Sequence, residues 1–306
     1  FTMRKNKIQN NRCERRMLTP SESGGYFSVL VLAIFIVNIV FSVIVNVLGE
    51  NGKKDAYKYV SFSLGSIVIC VVTILYVSIV KADICYSLKI KKPHPKYFLY
   101  SAMALFACVF GLSGVNNAFI NFLSDTFGYS PVVAELPSFT PLNYSLTVFC
   151  VCVLPALFEE VAFRGALLSG LNGVSPIYSA LITGFMFSLF HMNPAQTPYQ
   201  FVVGFVFALL SIDSGSIFPS ASAHFLNNFI IVNSEYFLAG VEIPNVVNIV
   251  LTVAGLLILC VFIWLSLRNA ESLKNGNGNN AGLKPFLKYS AFGVAICLIV
   301  WMAGLT

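Results

Sequence analysis

Long apolar runs recur along the whole chain and are separated by short polar links. Each run approaches the length of about 20 residues that an α-helix needs to cross the hydrocarbon core of a bilayer. The pattern predicts an all-α polytopic membrane protein whose residues 26–306 form a single helical domain. We predict about nine transmembrane helices, with eight as the alternative count, at residues 26–48, 58–80, 97–123, 143–171, 176–191, 199–212, 216–234, 244–267 and 286–304.

Composition agrees with this assignment. Of the 306 residues, 57% are hydrophobic and only 10% are charged, whereas about a quarter of the residues in a soluble domain are charged. A soluble globular fold is therefore excluded. Six of the eight cysteines lie inside predicted spans, which favours small core residues over a disulfide framework.

The charges outside the spans predict the topology. Residues 1–25 form a basic tail before the first span, and basic tails of this kind stay on the cytoplasmic side. The basic links 81–96 and 268–288 fall on that same side, and the acidic links 124–142 and 235–243 fall on the other. We therefore expect an integral, multi-pass protein with a cytoplasmic N-terminus and its C-terminus on the opposite side. The basic excess is explained by topology, so no nucleic-acid partner is expected.

Five ionisable residues lie at membrane depth, and two of the chain's three histidines are among them. A charge at the centre of a lipid-facing helix costs about 2.5–3.5 kcal/mol on insertion scales, so such groups normally face a protein interior or a polar cavity. We expect these side chains to converge around an intramembrane polar cavity. They are Glu159, Glu160 and Arg164 in the fourth span, His191 in the fifth and His224 in the seventh.

Helical spacing divides the fourth-span residues. Glu160 and Arg164 are four apart and share a face, which predicts an ion pair. Glu159 points about 100° away, so its ionisable partners must come from other helices, where His191 and His224 are the candidates. Pro155, one turn earlier, is expected to weaken the helix hydrogen bonding there.

These residue types suit the hydrolysis of a peptide bond without a protein nucleophile. His224 and Asn228 share a face of the seventh span. A carboxylate and an imidazole can hold and deprotonate water, while a second imidazole and an amide can stabilise an oxyanion. Glu159, His191 and His224 could instead form a two-histidine, one-glutamate zinc site. The sequence leaves open whether no cofactor or a divalent metal is used.

Each residue also has a purely structural interpretation. Glu160 and Arg164 could form an interhelical clamp, His191 could end a helix, His224 could bind a backbone carbonyl, and Glu159 could stay protonated in the bilayer. Their coincidence on three neighbouring spans, in a chain with few charges, favours a functional site.

Three ordered motifs resemble those of the CPBP family, the CAAX-protease and bacteriocin-processing membrane proteins also called Abi. They are E-E-x-x-x-R at 159–164, F-x-x-x-H at 187–191 and H-x-x-x-N at 224–228. The resemblance covers residues 143–234, which would form the catalytic core.

This resemblance implies an intramembrane endopeptidase related to the CAAX prenyl endopeptidases. Glu159 and His191 would activate water, His224 and Asn228 would stabilise the oxyanion, and Glu160 and Arg164 would support the site. The family has been described both as glutamate-type and as metal-dependent. The expected partners are the lipid bilayer and a peptide or protein substrate, with or without a prenyl group. A non-catalytic membrane binding or immunity protein and a proton- or ion-coupled transporter are the alternatives, although no internal repeat supports a transporter.

Overall fold

The computed structural model describes residues 16–49, 54–131, 135–241, 244–273 and 280–305, with the backbone alone for 270–273. Within these residues there is no strand, and nine long helices each overlap one of the nine predicted spans. They are α1 (Pro20–Leu48), α2 (Asp55–Ile79), α3 (Lys96–Phe127), α4 (Pro141–Leu167), α5 (Pro176–Phe190), α6 (Thr197–Ser214), α7 (Phe218–Phe237), α8 (Asn245–Leu273) and α9 (Leu283–Ala303).

Seven helical segments in the described part of the chain are long and apolar enough to cross a membrane. The two long helices outside that set are α5, which is apolar but has only 15 residues, and α7, which contains His224 and three asparagines. The prediction of an all-α polytopic membrane protein is confirmed. The side of the membrane on which each terminus lies stays a prediction.

The first helix begins six residues before its predicted start because the sequence contains a capping box. The backbone N–H of Glu22 donates to Thr19 Oγ1 at 3.3 Å, and the backbone N–H of Thr19 donates to Glu22 Oε2 at 2.8 Å. These bonds satisfy donors that the first turn of a helix leaves free. Much of the predicted basic tail, residues 1–15, lies outside the described residues, as do residues 274–279 of the second basic link.

Helix pairs pack through glycines that let two backbones approach closely. A Cβ on Gly255 of α8 would lie 2.4 Å from the backbone nitrogen of Gly111 of α3. A Cβ on Gly204 of α6 would lie 2.8 Å from the Cα of Gly184 of α5. Small residues at helix crossings are typical of membrane bundles, where packing rather than water exclusion holds the helices together.

Helix α4 occupies the centre of the bundle and contacts α1, α2, α5, α6 and α7. Thr140 caps its first turn, with Oγ1 accepting the backbone N–H of Asn143 at 3.1 Å. Two π-helical segments, Val148–Val153 and Val161–Leu167, flank the α-helical segment Leu154–Glu160. Such segments occur frequently at functional sites. A sequence pattern based on 3.6 residues per turn gave no sign of them.

Candidate active site

The ion pair on α4 lies at the centre of the polar cluster. Arg164 Nη1 donates to Glu160 Oε1 at 2.8 Å, and both side chains are fully buried. The guanidinium carbon lies 4.3 Å from the ring centre of Phe187 and 5.4 Å from that of Phe207. The cation is thus neutralised by a carboxylate and held against two aromatic rings. This contact is the one that the four-residue spacing predicts.

His224 of α7 reaches both glutamates. Its Nδ1 lies 3.0 Å from Glu160 Oε1, the oxygen that also accepts from Arg164. Because a carboxylate only accepts, the proton of the imidazole is assigned to Nδ1. Its Nε2 lies 3.9 Å from Glu159 Oε2. Sequence reasoning missed the bond to Glu160, since it paired that residue with Arg164 alone.

Glu159 Oε2 is buried and accepts no hydrogen bond from any described residue. The 3.9 Å between this oxygen and His224 Nε2 is too long for a direct hydrogen bond. It suits a single water that donates one hydrogen to each of the two atoms. A buried polar atom without a protein partner calls for an explanation, and a reactant position is one.

His191 directly follows α5 and faces the same cluster. Its Nδ1 lies 2.8 Å from the carbonyl oxygen of Phe187, which assigns the proton to Nδ1 and leaves Nε2 as an acceptor. Met192 then turns the chain with φ of 49°, a left-handed conformation that non-glycine residues adopt at an energetic cost. Its ring centre lies 4.7 Å from that of Phe187, which in turn lies 6.0 Å from that of His224. Among the described contacts His191 hydrogen-bonds to neither Glu159 nor His224.

Asn228 is held in a chain of hydrogen bonds. Its Nδ2 donates to the carbonyl oxygen of Val151 at 3.0 Å, and its Oδ1 accepts from Asn227 Nδ2 at 3.2 Å. Asn227 Oδ1 in turn accepts from the hydroxyl of Tyr199 on α6. The carbonyl of Val151 can receive Asn228 because Pro155, four residues later, has no N–H to donate.

These bonds fix which end of the Asn228 amide is the donor, and they leave its second N–H for another acceptor. Pro155 was noted in the sequence as a weakness of the helix, and its spacing from Val151 was the available signal for this contact. Nothing in the sequence pattern indicated Tyr199.

The expected metal ligands are of suitable type, since His191 and His224 both hold Nδ1 in a hydrogen bond and present Nε2, as zinc-binding histidines do. However, no three His, Cys, Asp or Glu side chains among the described residues come close enough together to hold a metal ion. A divalent metal held by Glu159, His191 and His224 stays a prediction.

Comparison with known proteins identifies the same part of the chain. Residues 141–230 match the family model described as Rce1-like, type II CAAX prenyl endopeptidase. Over this segment, which is less than a third of the 306 residues, the chain is similar to the CAAX prenyl endopeptidases. The matched segment begins at the first residue of α4, ends within α7 and contains all six motif residues. No match was found among curated proteins or among solved structures.

Proposed function

We propose that this chain is an intramembrane endopeptidase that hydrolyses a peptide bond with a water activated by Glu159 and His224. The observation that carries the proposal is the buried, unpaired Glu159 Oε2 at 3.9 Å from His224 Nε2. A carboxylate and an unprotonated imidazole nitrogen can each accept a hydrogen from one water, which leaves its oxygen lone pair free to attack.

In the proposed reaction the water oxygen forms a bond to the substrate carbonyl carbon, and one water proton passes to Glu159. The carbonyl oxygen becomes an oxyanion, which the second N–H of Asn228 stabilises. The carbon–nitrogen bond then breaks. The departing nitrogen takes the proton from Glu159, so the products are an amine and a carboxylic acid.

The hydrogen bond between His224 and Glu160 refines the role of His224. With its proton on Nδ1, the neutral ring can only accept at Nε2, so it is proposed to bind the attacking water rather than the oxyanion. The oxyanion is then left to Asn228. Glu160 holds the Nδ1 proton of His224, and Arg164 neutralises the Glu160 carboxylate. His191, whose Nε2 is also an acceptor, is proposed as the alternative to His224 as the second acceptor of this water.

The proposed substrate is a C-terminal CAAX-type peptide, prenylated in the membrane. Two observations support it: the match to the CAAX prenyl endopeptidase family, and the position of Glu159 and Glu160 on α4, a helix long and apolar enough to cross a membrane. A peptide with an attached prenyl chain would partition into the same layer as the site.

The test is release of the C-terminal tripeptide from a farnesylated peptide by purified protein in lipid vesicles, followed by mass spectrometry. Glu159→Gln should lower kcat/KM by about 100-fold or more. Glu135→Gln is the matched control, since Glu135 is 90% exposed and lies 3.8 Å from Lys58. Activity of Glu159→Gln equal to that of the control would refute the proposal.

Two further measurements separate the alternatives. An unprenylated peptide tests the need for the lipid. A chelator, with metal analysis of the purified protein, tests for a divalent metal: loss of cleavage that zinc restores would replace the metal-free mechanism. Tight peptide binding by the wild type without cleavage would instead favour a non-catalytic binding protein.

A further inference from the structure

A groove of about 590 Å³ lies between α4 and α7, the helices that carry Glu159, Glu160 and His224. Its apolar walls come from α4 (Val153, Ala156 and Leu157) and α7 (Phe218, Ala221 and Phe225). Leu157 and Phe218 are 44% and 39% exposed, so the groove opens to the outer surface of the bundle. In a membrane this opening faces lipid.

One end of the groove is cationic. Lys92 is exposed and is the one charged residue among the described residues that line it. The N-termini of two long helices meet at this end, because Pro95, which precedes α3, and Phe218, which begins α7, both line the groove. Helix N-termini carry a partial positive charge and bind anions.

The segment that carries Lys92 is fixed to the turn between α6 and α7. Ser216 Oγ donates to the carbonyl oxygen of Lys91 at 2.6 Å, and the backbone N–H of Ile217 donates to that of Lys89 at 3.3 Å. Lys92 therefore has a defined place relative to the groove rather than a place on a free loop.

We propose that this groove binds an anionic phospholipid, with one acyl chain along the apolar walls and the phosphate at Lys92. The apolar walls of the groove match the acyl chain of such a lipid, and the cationic end matches its phosphate. The groove volume lies within the range of about 300–1,000 Å³ found for small-molecule sites. A lysine beside helix N-termini is a recurrent phosphate-binding arrangement.

A polypeptide fits the groove less well. Its backbone amides need hydrogen-bond partners, and apart from Lys92 the lining side chains offer only the hydroxyl of Ser222, which already donates to the carbonyl oxygen of Pro219 at 2.8 Å. An alkyl chain has no such requirement. A neutral lipid would leave the cationic end without a counter-charge.

The inference is independent of the proposed protease activity, because its test measures lipid binding alone. Purified protein is titrated with phosphatidylglycerol and with phosphatidylcholine of the same chains, and bound lipid is counted by native mass spectrometry. The wild type should prefer phosphatidylglycerol. Lys92→Gln should lower that preference about fivefold, from the roughly 1 kcal/mol that one lysine contributes at an anionic lipid surface. Lys288→Gln, an exposed lysine on α9, is the charge control and should change nothing.

A second variant tests the acyl chain. Ala221→Phe should fill the groove and reduce the binding of both lipids by tenfold or more, because the larger side chain occupies the space of the acyl chain. Val40→Phe is its control, because Val40 lines an apolar groove with no charged lining residue. If Ala221→Phe does not fold, Leu157→Trp at the exposed rim replaces it.

Wild-type phosphatidylglycerol binding in both the Lys92 and the groove-filling variants would overturn the proposal. So would a groove-filling variant that keeps its lipid but no longer binds the farnesylated peptide, because the groove would then belong to the substrate. The Glu159→Gln protein should keep the Lys92-dependent preference for phosphatidylglycerol over phosphatidylcholine even if it does not cleave peptide. That result would support the lipid site independently of the protease proposal.

Discussion

Arg164→Met should destabilise the fold strongly, because it leaves the Glu160 carboxylate buried without its cation. Two unit charges 2.8 Å apart attract by about 6 kcal/mol at an effective dielectric constant of about 20. His224 bonds to the same oxygen and keeps part of the compensation. We therefore expect a loss of about 3–5 kcal/mol in the free energy of unfolding, the usual cost of breaking a buried pair.

A double-mutant cycle separates this electrostatic effect from lost packing. Glu160→Gln alone should also be costly, since it leaves Arg164 unpaired between two aromatic rings. The double variant should be more stable than the sum of the two losses predicts, by about 2 kcal/mol. Its peptide cleavage should stay low all the same, because His224 then lacks a charged acceptor at Nδ1.

The assay is unfolding in mixed micelles by increasing SDS, followed by circular dichroism. Arg16→Met is the matched control, because Arg16 forms an ion pair with Glu22 at the surface, where its side chain is 46% exposed. Exposed pairs contribute about 0–1 kcal/mol. If Arg164→Met unfolds within about 1 kcal/mol of the wild type, the buried pair does not stabilise the fold as argued.

Three further predictions concern contacts that the sequence motifs do not contain. Pro155→Ala supplies an N–H that competes with Asn228 for its carbonyl partner, so kcat for peptide cleavage should fall about tenfold with little change in KM. Tyr199→Phe removes the hydroxyl that donates to Asn227 at the far end of this chain of hydrogen bonds. The free energy of unfolding should fall by about 1 kcal/mol, and kcat should fall by a larger factor than KM rises. Gly204→Ala would place a Cβ 2.8 Å from the Cα of Gly184 and should lower the free energy of unfolding by about 1–3 kcal/mol. An equally stable Gly204→Ala protein, or unchanged kinetics in the first two variants, would contradict these contacts.

The helical fold was predictable from hydropathy because few backbone conformations are stable inside a bilayer. Backbone groups in hydrocarbon must be satisfied within the segment, so an apolar run of sufficient length becomes a helix. Helix ends were less predictable. α1 starts at Pro20 because of the Thr19 and Glu22 capping box, which lies in the polar sequence before the apolar run.

The local part of the site was predictable for a similar reason. Glu160 and Arg164 belong to one helix, and their spacing alone brings them together. The motifs also identified His191, His224 and Asn228. The rings of His191 and His224 both pack near Phe187, and the catalytic roles of all three residues stay proposals.

The sequence by itself determined the helices, the set of polar residues placed at membrane depth and the pairing of neighbours along one helix. Only the tertiary structure decided that His224 bonds to Glu160 across 64 residues of chain, that its Nε2 faces Glu159, and that Asn228 donates to Val151. These contacts depend on how α4 docks against α7. The two π-helical segments of α4 also turn its side chains away from the directions that a regular helix would give them. Pro155, which has no N–H, leaves the carbonyl of Val151 for Asn228.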